Sequence, residues 1–190
     1  MDTIKNKSKY IILIILIISL IVAAIYSMVD TSDKIVYPIL YSEEINQYSS
    51  EFNLDKAIVY SVVNVESSFR PEVISKSNAI GLMQLKLDTA KDMARYCNDT
   101  APTEDDLKIA NINIKYGCRY IRYLLDYYQQ DIYLALAAYN GGLSNVNYWI
   151  EHYNILNNVD NIPYKETREY IKKVNKNYTV YSKYLKDGKI

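Results

Sequence analysis

The chain has 190 residues, and its 22 Lys and Arg are balanced by 22 Asp and Glu, so the formal net charge is zero. That balance, with no long basic block and no zinc-finger or phosphate-loop pattern, excludes a general nucleic-acid binder. His152 is the only histidine and there is no Cys-x-x-Cys or His-Glu-x-x-His pattern, so neither a metal site nor another cofactor is expected. A Ser-His or Cys-His catalytic unit would have to use His152, whose neighbours suggest nothing. Tyrosine, at 21 copies, far outnumbers Phe and Trp. It can stack on sugar rings, but its spread over most of the chain reads chiefly as compositional bias and amphipathic packing.

In chain order, Lys5, Lys7 and Lys9 precede the uncharged run YIILIILIISLIVAAIYSMV from Tyr10 to Val29, and Asp30 and Asp33 follow it. The run is as long as a bilayer-spanning helix needs, and the flanking charges put the N-terminus inside. The expected organisation is therefore a cytoplasmic tail over 1–9, a transmembrane anchor over 10–29, a linker over 30–41 and one extracytoplasmic domain over 42–190. A cleavable signal peptide competes with the anchor, but no small-x-small cleavage site follows the run. Cys97 and Cys118, both on the expected outside, permit a disulfide; two separate buried thiols are the alternative.

Ser42 can cap a helix over Glu43 to Phe52, and Asp55 can start a second. In the second, Ile58, Val59, Val62, Val63 and Val65 recur at helical spacing, and Pro71 should end it near Arg70. Glu66 projects from the apolar face of its last turn, where burial and the helix dipole both favour the protonated acid. That suits a general acid near neutral pH. A structural pairing with Arg70 or another arginine is the other reading.

Ser67 to Ile80 is irregular, and Gly81 to Tyr96 returns to helical spacing. Thr103 to Asp106 carries a capping signature for a long helix reaching about Tyr128. Asp131 can cap Ile132 to Tyr139, stopped by Gly141-Gly142, and Ser144 can cap a short helix through Trp149. Pro163 precedes a final helix over Lys165 to Leu185. No segment alternates convincingly as a strand. The expected fold class is all-α, one helical globule after the anchor.

Four separated segments carry the chemistry: ESSFRPEVISKSNAIGLMQL, NINIKYGCRYIRYLL, LALAAYNGG and IPYKETREYIKKV. Their order and spacing resemble the lytic transglycosylase (SLT domain) family with the goose-lysozyme-like fold, over about Ile45 to Tyr184. The resemblance implies a lysozyme-like helical domain with a cleft, acting on bacterial peptidoglycan glycan strands. It implies Glu66 as the catalytic acid and base. Ser75 matches a serine that assists by hydrogen bonding, and Gln84 a residue contacting sugar polar groups. Tyr139 matches a tyrosine whose hydroxyl holds the catalytic carboxyl. Asn140, Glu166 and Tyr170 match cleft positions, with helix-end capping the alternative for Gln84 and Asn140. Arg168 reads as a structural ion pair and Trp149 as core.

Two positions depart from the family pattern. Asn78 stands where glycine is common, and asparagine tolerates the left-handed conformation that such a position needs. Lys86-Leu87 replaces a common Met-Pro, so a lysine there could meet an anionic part of the wall. With no second carboxylate assigned a role, the resemblance implies a one-glutamate reaction closing a 1,6-anhydro ring. A lysozyme-type hydrolase of the same fold, and a catalytically silent wall-binding protein, are the alternatives. Beyond the glycan strands and the membrane, no partner is implied.

Overall fold

The structure, a computed structural model, describes residues 15–25, 36–156, 158–188 and 190. It divides into two units, residues 1–38 and 39–190. In the first, residues 15–25 are helical with exposed apolar side chains, including Ile15, Leu20 and Val22. Residues 10–14 and 26–29 of the expected anchor lie outside the described residues, as do the tail over 1–9 and residues 30–35 of the linker. Among the described residues no helix is long and apolar enough to cross a membrane.

The second unit is built from seven α-helices: α1 Ser42–Glu51, α2 Lys56–Ser67, α3 Leu87–Tyr96, α4 Ala110–Tyr127, α5 Ile132–Gly141, α6 Leu143–Tyr153 and α7 Lys165–Lys186. Short 3-10 turns, Asp106–Lys108 and Val159–Asn161, precede α4 and α7. The long α7 packs most extensively on α2, and α4 runs through the middle against α1, α3 and α5. Between α2 and α7 the Tyr60 and Tyr181 rings stack at 5.1 Å, both fully buried.

Side-chain caps open two of the seven helices. Asp55 accepts from the Ala57 amide at 2.8 Å and opens α2, and Asp131 accepts from the Tyr133 and Leu134 amides to open α5. Ser42 is not a cap: α1 begins after Tyr41, which takes a left-handed conformation without side-chain capping. Thr103 and Asp106 do bond reciprocally, but they close the turn that leads into the 3-10 segment, and α4 starts only at Ala110. α6 likewise starts after Gly142 (φ 85°) rather than from a Ser144 cap, and runs on to Tyr153.

The all-α expectation needs one amendment. Ala79–Ile80 (β1) and Leu85–Lys86 (β2) form a small antiparallel hairpin, with Ala79 opposite Lys86 and Ile80 opposite Leu85. The helix expected over Gly81–Tyr96 therefore begins at Leu87. The turn between the strands is fixed from beneath. A Cβ on Gly81 would lie 2.3 Å from both Asn113 Nδ2 and the Leu107 carbonyl, and φ there is +81°. Asn113, fully buried on α4, accepts from the Met83 amide at 2.7 Å and donates to the Ile80 and Leu107 carbonyls at 2.9 and 2.7 Å. Met83 lies flat on Gly117, where a Cβ would come within 2.2 Å of its sulfur.

Candidate active site

Glu66 is the penultimate residue of α2. The helix stops there, three residues before the point expected from Pro71, because Ser68 and Phe69 both turn left-handed (φ 51° and 60°). Two side chains secure this end. The Ser67 hydroxyl is shared between the Val63 carbonyl (3.2 Å) and the Leu82 carbonyl (2.8 Å), joining α2 to the hairpin turn. Arg70 donates twice to the Ser67 carbonyl at the helix end, from its backbone amide at 3.2 Å and from Nε at 2.9 Å. Arg70 is thus spent on backbone, and among the described residues no ion pair reaches Glu66.

Burial dominates the chemistry of Glu66. It keeps some contact with cleft solvent, yet the protein around its carboxyl pushes its pKa from the ordinary 4.5 up to about 7. The Tyr170 hydroxyl opposes that rise by favouring the carboxylate, and the negative charge of Glu166 adds to it. Tyr170 comes from α7 and is buried, and among the described residues its hydroxyl has no well-aligned hydrogen-bond partner. The Glu66 carboxyl is the polar group it meets, and together with burial this holds the phenol well above its ordinary value.

The cleft has a volume of about 340 Å³. Glu66, Ser75, Gln84, Tyr139, Asn140 and Glu166 all line it, so six of the seven positions carried by the resemblance converge, while Tyr170 lies behind Glu66. Ser77, the hairpin residues Ala79, Leu85 and Lys86, Thr89, Tyr120 and the Gly141-Gly142 pair complete the lining. Glu72 and Asp88, the carboxylates near Glu66 in the sequence to which no motif assigns a role, are not part of it.

Individual roles differ from those the resemblance implies. The Tyr139 hydroxyl donates to the Met83 carbonyl at 2.7 Å, so in the free protein it is Tyr170, not Tyr139, that meets the Glu66 carboxyl. Burial and the nearby Glu66 charge hold Tyr139 well above its ordinary pKa. Ser75 accepts from the Ala79 amide and bonds the Ser77 hydroxyl, both at 3.0 Å, closing the loop before β1. Gln84 is no helix cap. It sits left-handed (φ 48°) in the hairpin turn, its amide nitrogen donating to the Val73 and Gly81 carbonyls at 2.9 Å each. Among the described residues Arg168 forms no ion pair; it donates to the carbonyls of Ile162 and Pro163 and braces the start of α7. Trp149 is core, set edge-on to Tyr164 and against Gly141.

Cys97 and Cys118 are separate thiols, not a bridge. Cys118 is fully buried on α4, and Cys97 sits partly exposed at the end of α3 among Lys115, Asp99 and Arg119. Among the described residues no His, Cys, Asp and Glu cluster could hold a metal ion. The determinant that sequence reasoning passed over is Asn113. Its signal is an asparagine three and four residues before Tyr116 and Gly117, on the buried face of α4.

A helical lysozyme-like domain with one buried glutamate at the end of a helix, facing a polar cleft, defines the class. The family profile described as Transglycosylase SLT domain matches residues 43–162. The chain belongs to that family. It is 31% identical over 159 residues to membrane-bound lytic murein transglycosylase C from Shigella sonnei, covering 71% of this chain and 44% of that protein. Among solved structures it resembles the 70 kDa soluble lytic transglycosylase from Escherichia coli, at TM-score 0.72 and 27% identity over 78% of this chain and 25% of that one. It shares its fold with an inactive mutant of lytic transglycosylase Slt from Pseudomonas aeruginosa, at TM-score 0.75 and 24% identity, covering 81% of this chain and 26% of that one. The chain thus spans less than half the length of each of these relatives.

Proposed function

We propose that this protein is a peptidoglycan lytic transglycosylase that cleaves the MurNAc-β-1,4-GlcNAc bond with formation of 1,6-anhydro-MurNAc. The observation that carries the reading is Glu66, a buried acid whose pKa of about 7 lets it exist in both protonation states near neutrality. Protonated Glu66 donates to the glycosidic oxygen as the bond to the muramyl anomeric carbon breaks. The N-acetyl carbonyl of the same sugar stabilises the cationic carbon. Glu66, now a carboxylate, takes the proton of that sugar's C6 hydroxyl as its oxygen closes on the anomeric carbon. The acid is thereby regenerated without consuming water, and the nucleophile, being part of the substrate, gains from proximity.

Tyr170 and Glu166 balance the two halves of this cycle. The Tyr170 hydroxyl stabilises the carboxylate formed midway, and the Glu166 charge favours its return to the acid. Gln84, with its nitrogen committed to backbone, offers its side-chain oxygen to a sugar hydroxyl, and Ser75, Tyr139 and Asn140 complete the polar wall. The apolar run over 10–29 anchors the domain to the membrane, a reading supported by its length, by the lysines before it and by relatives named as membrane-bound.

A hydrolase reading has one observation in its favour. Glu166 is a second cleft carboxylate, the group that a water-directing mechanism needs. Mass spectrometry of peptidoglycan digested by the full-length chain separates the two. Products one water lighter than lysozyme products, absent with Glu66→Gln, are expected. Products carrying the added water would establish the hydrolase. Binding without products would favour a silent wall-binding protein.

A further inference from the structure

The wall of the cleft carries a cation that the reaction does not use. Lys86 ends β2, paired across the hairpin with Ala79, and its side chain is exposed on the cleft lining. The ladder fixes its backbone, so only the side chain is free to move. Among the described residues no ion pair engages its ammonium group.

The charges around it make the position informative. Among the described residues three charged side chains line the cleft: Glu66, Glu166 and Lys86. With Glu66 protonated, as the first step of cleavage requires, Lys86 offsets Glu166. It thereby removes the repulsion that Glu166 alone would set against a negatively charged ligand. Neutral sugar hydroxyls do not call for such a group, since Ser75, Gln84, Tyr139 and Asn140 already line the cleft with polar atoms. An ammonium offers three donors and no acceptor, and its match is a carboxylate.

The substrate of the proposed reaction carries such a group in one of its two forms. A muramyl residue bears a lactyl ether on C3. With a peptide attached, the lactyl carboxyl is an uncharged amide, and the carboxylates of the stem lie at least one amino acid farther out. Without the peptide, the lactyl group is itself a carboxylate a few bonds from the ring. At about 340 Å³ the cleft lies near the lower end of the sizes that hold a drug-sized ligand. A peptide stem must therefore leave over its rim, whereas a bare lactyl group stays inside with Lys86. Resting on the reading above, we infer that Lys86 pairs with the lactyl carboxylate, so that the preferred substrate is the peptide-free glycan strand. Such a strand is supplied by an amide hydrolysis. Water adds across the bond between the lactyl carbonyl and the first amino acid, leaving a carboxylate on the sugar and a free amine on the peptide. The chain then acts downstream of a peptide-removing amidase.

The test uses one preparation of strands in three forms: peptide-bearing, peptide-free, and peptide-free with the lactyl carboxylates converted to carboxamides. In the full-length Glu66→Gln chain, peptide-free strands are expected to bind about fivefold more tightly than carboxamide strands. Added salt should shrink that preference. Lys86→Met should abolish it, and Lys86→Arg, which keeps the charge, should retain it. In the active chain, kcat/KM should be higher for peptide-free strands than for either other form. Equal binding of carboxylate and carboxamide strands, a preference that survives Lys86→Met, or tighter binding of peptide-bearing strands would overturn the inference, even where anhydro products form. A Lys86-dependent preference without anhydro products from the active chain would uphold the lactyl contact and refute the transglycosylase reading.

Discussion

At the scale of the residue, Glu66 is governed by burial and by two neighbours, Tyr170 and Glu166, whose effects have known signs. Activity that needs the protonated acid is expected to fall as pH rises through about 7. Tyr170→Phe removes a contact that favours the carboxylate, so the falling limb should move to higher pH. Glu166→Gln removes a charge that disfavours it, so the limb should move to lower pH. A pH–rate profile for each variant checks both, and shifts in the same direction would refute this account of the site. The same acid weakens the fold. Its native pKa lies above the unfolded value, so the native state holds the extra proton between pH 4.5 and about 7, and its stability declines across that window. Above it the penalty approaches about 3 kcal/mol. Glu66→Gln should therefore raise the melting temperature at pH 8 by several degrees and have little effect at pH 4, as calorimetry at the two pH values would show. Lys86 is exposed on the cleft wall and forms no ion pair among the described residues. Lys86→Met should weaken binding of peptide-stripped strands, whose lactyl groups are free carboxylates; equal affinity in a pull-down would refute a charge-recognising role.

At the scale of the element, the hairpin Ala79–Lys86 positions more of the cleft than any helix does, and α4 holds it from below through Asn113. Asn113→Ala would strand the buried Met83 amide and the Ile80 and Leu107 carbonyls together, at a cost of roughly 3 kcal/mol or more. A urea titration checks this, and loss of under about 1 kcal/mol would mean that the hairpin stands without it. This element also marks the limit of what the sequence makes legible. Glu66 could be read because its cause is local: an acid on an apolar stripe, close before a proline. Asp55 and Asp131 are legible as caps for the same reason. The hairpin is not, because two-residue strands show no alternation, and the run Leu82, Leu85, Thr89, Ala90, Met93 mimics helical spacing. Its true determinant is a side chain 30 positions away, at Asn113. The exchange of partners between Tyr139 and Tyr170 is hidden likewise. Both motif positions reach the site, but which hydroxyl meets the carboxyl depends on how α5 and α7 approach the Met83 carbonyl and the end of α2.

At the scale of the whole molecule, the chain joins an apolar N-terminal run to a helical domain of the SLT family. If residues 10–29 anchor it, the full-length chain should fractionate with membranes and resist extraction by high salt or carbonate. A chain beginning at Ile39 should appear in the soluble fraction, and release of the full-length chain by carbonate would refute the anchor. Within the domain, the Asn113 contacts tie parts that are distant in sequence into one unit. The Met83 amide, bonded to Asn113 Oδ1 and buried beside Gly117, has no route to solvent that leaves the hairpin, the 3-10 turn and α4 in register. Its hydrogen exchange should then report the opening of the entire domain rather than local fraying. The floor of the cleft would thus be among the last parts of the molecule to lose structure as denaturant is raised.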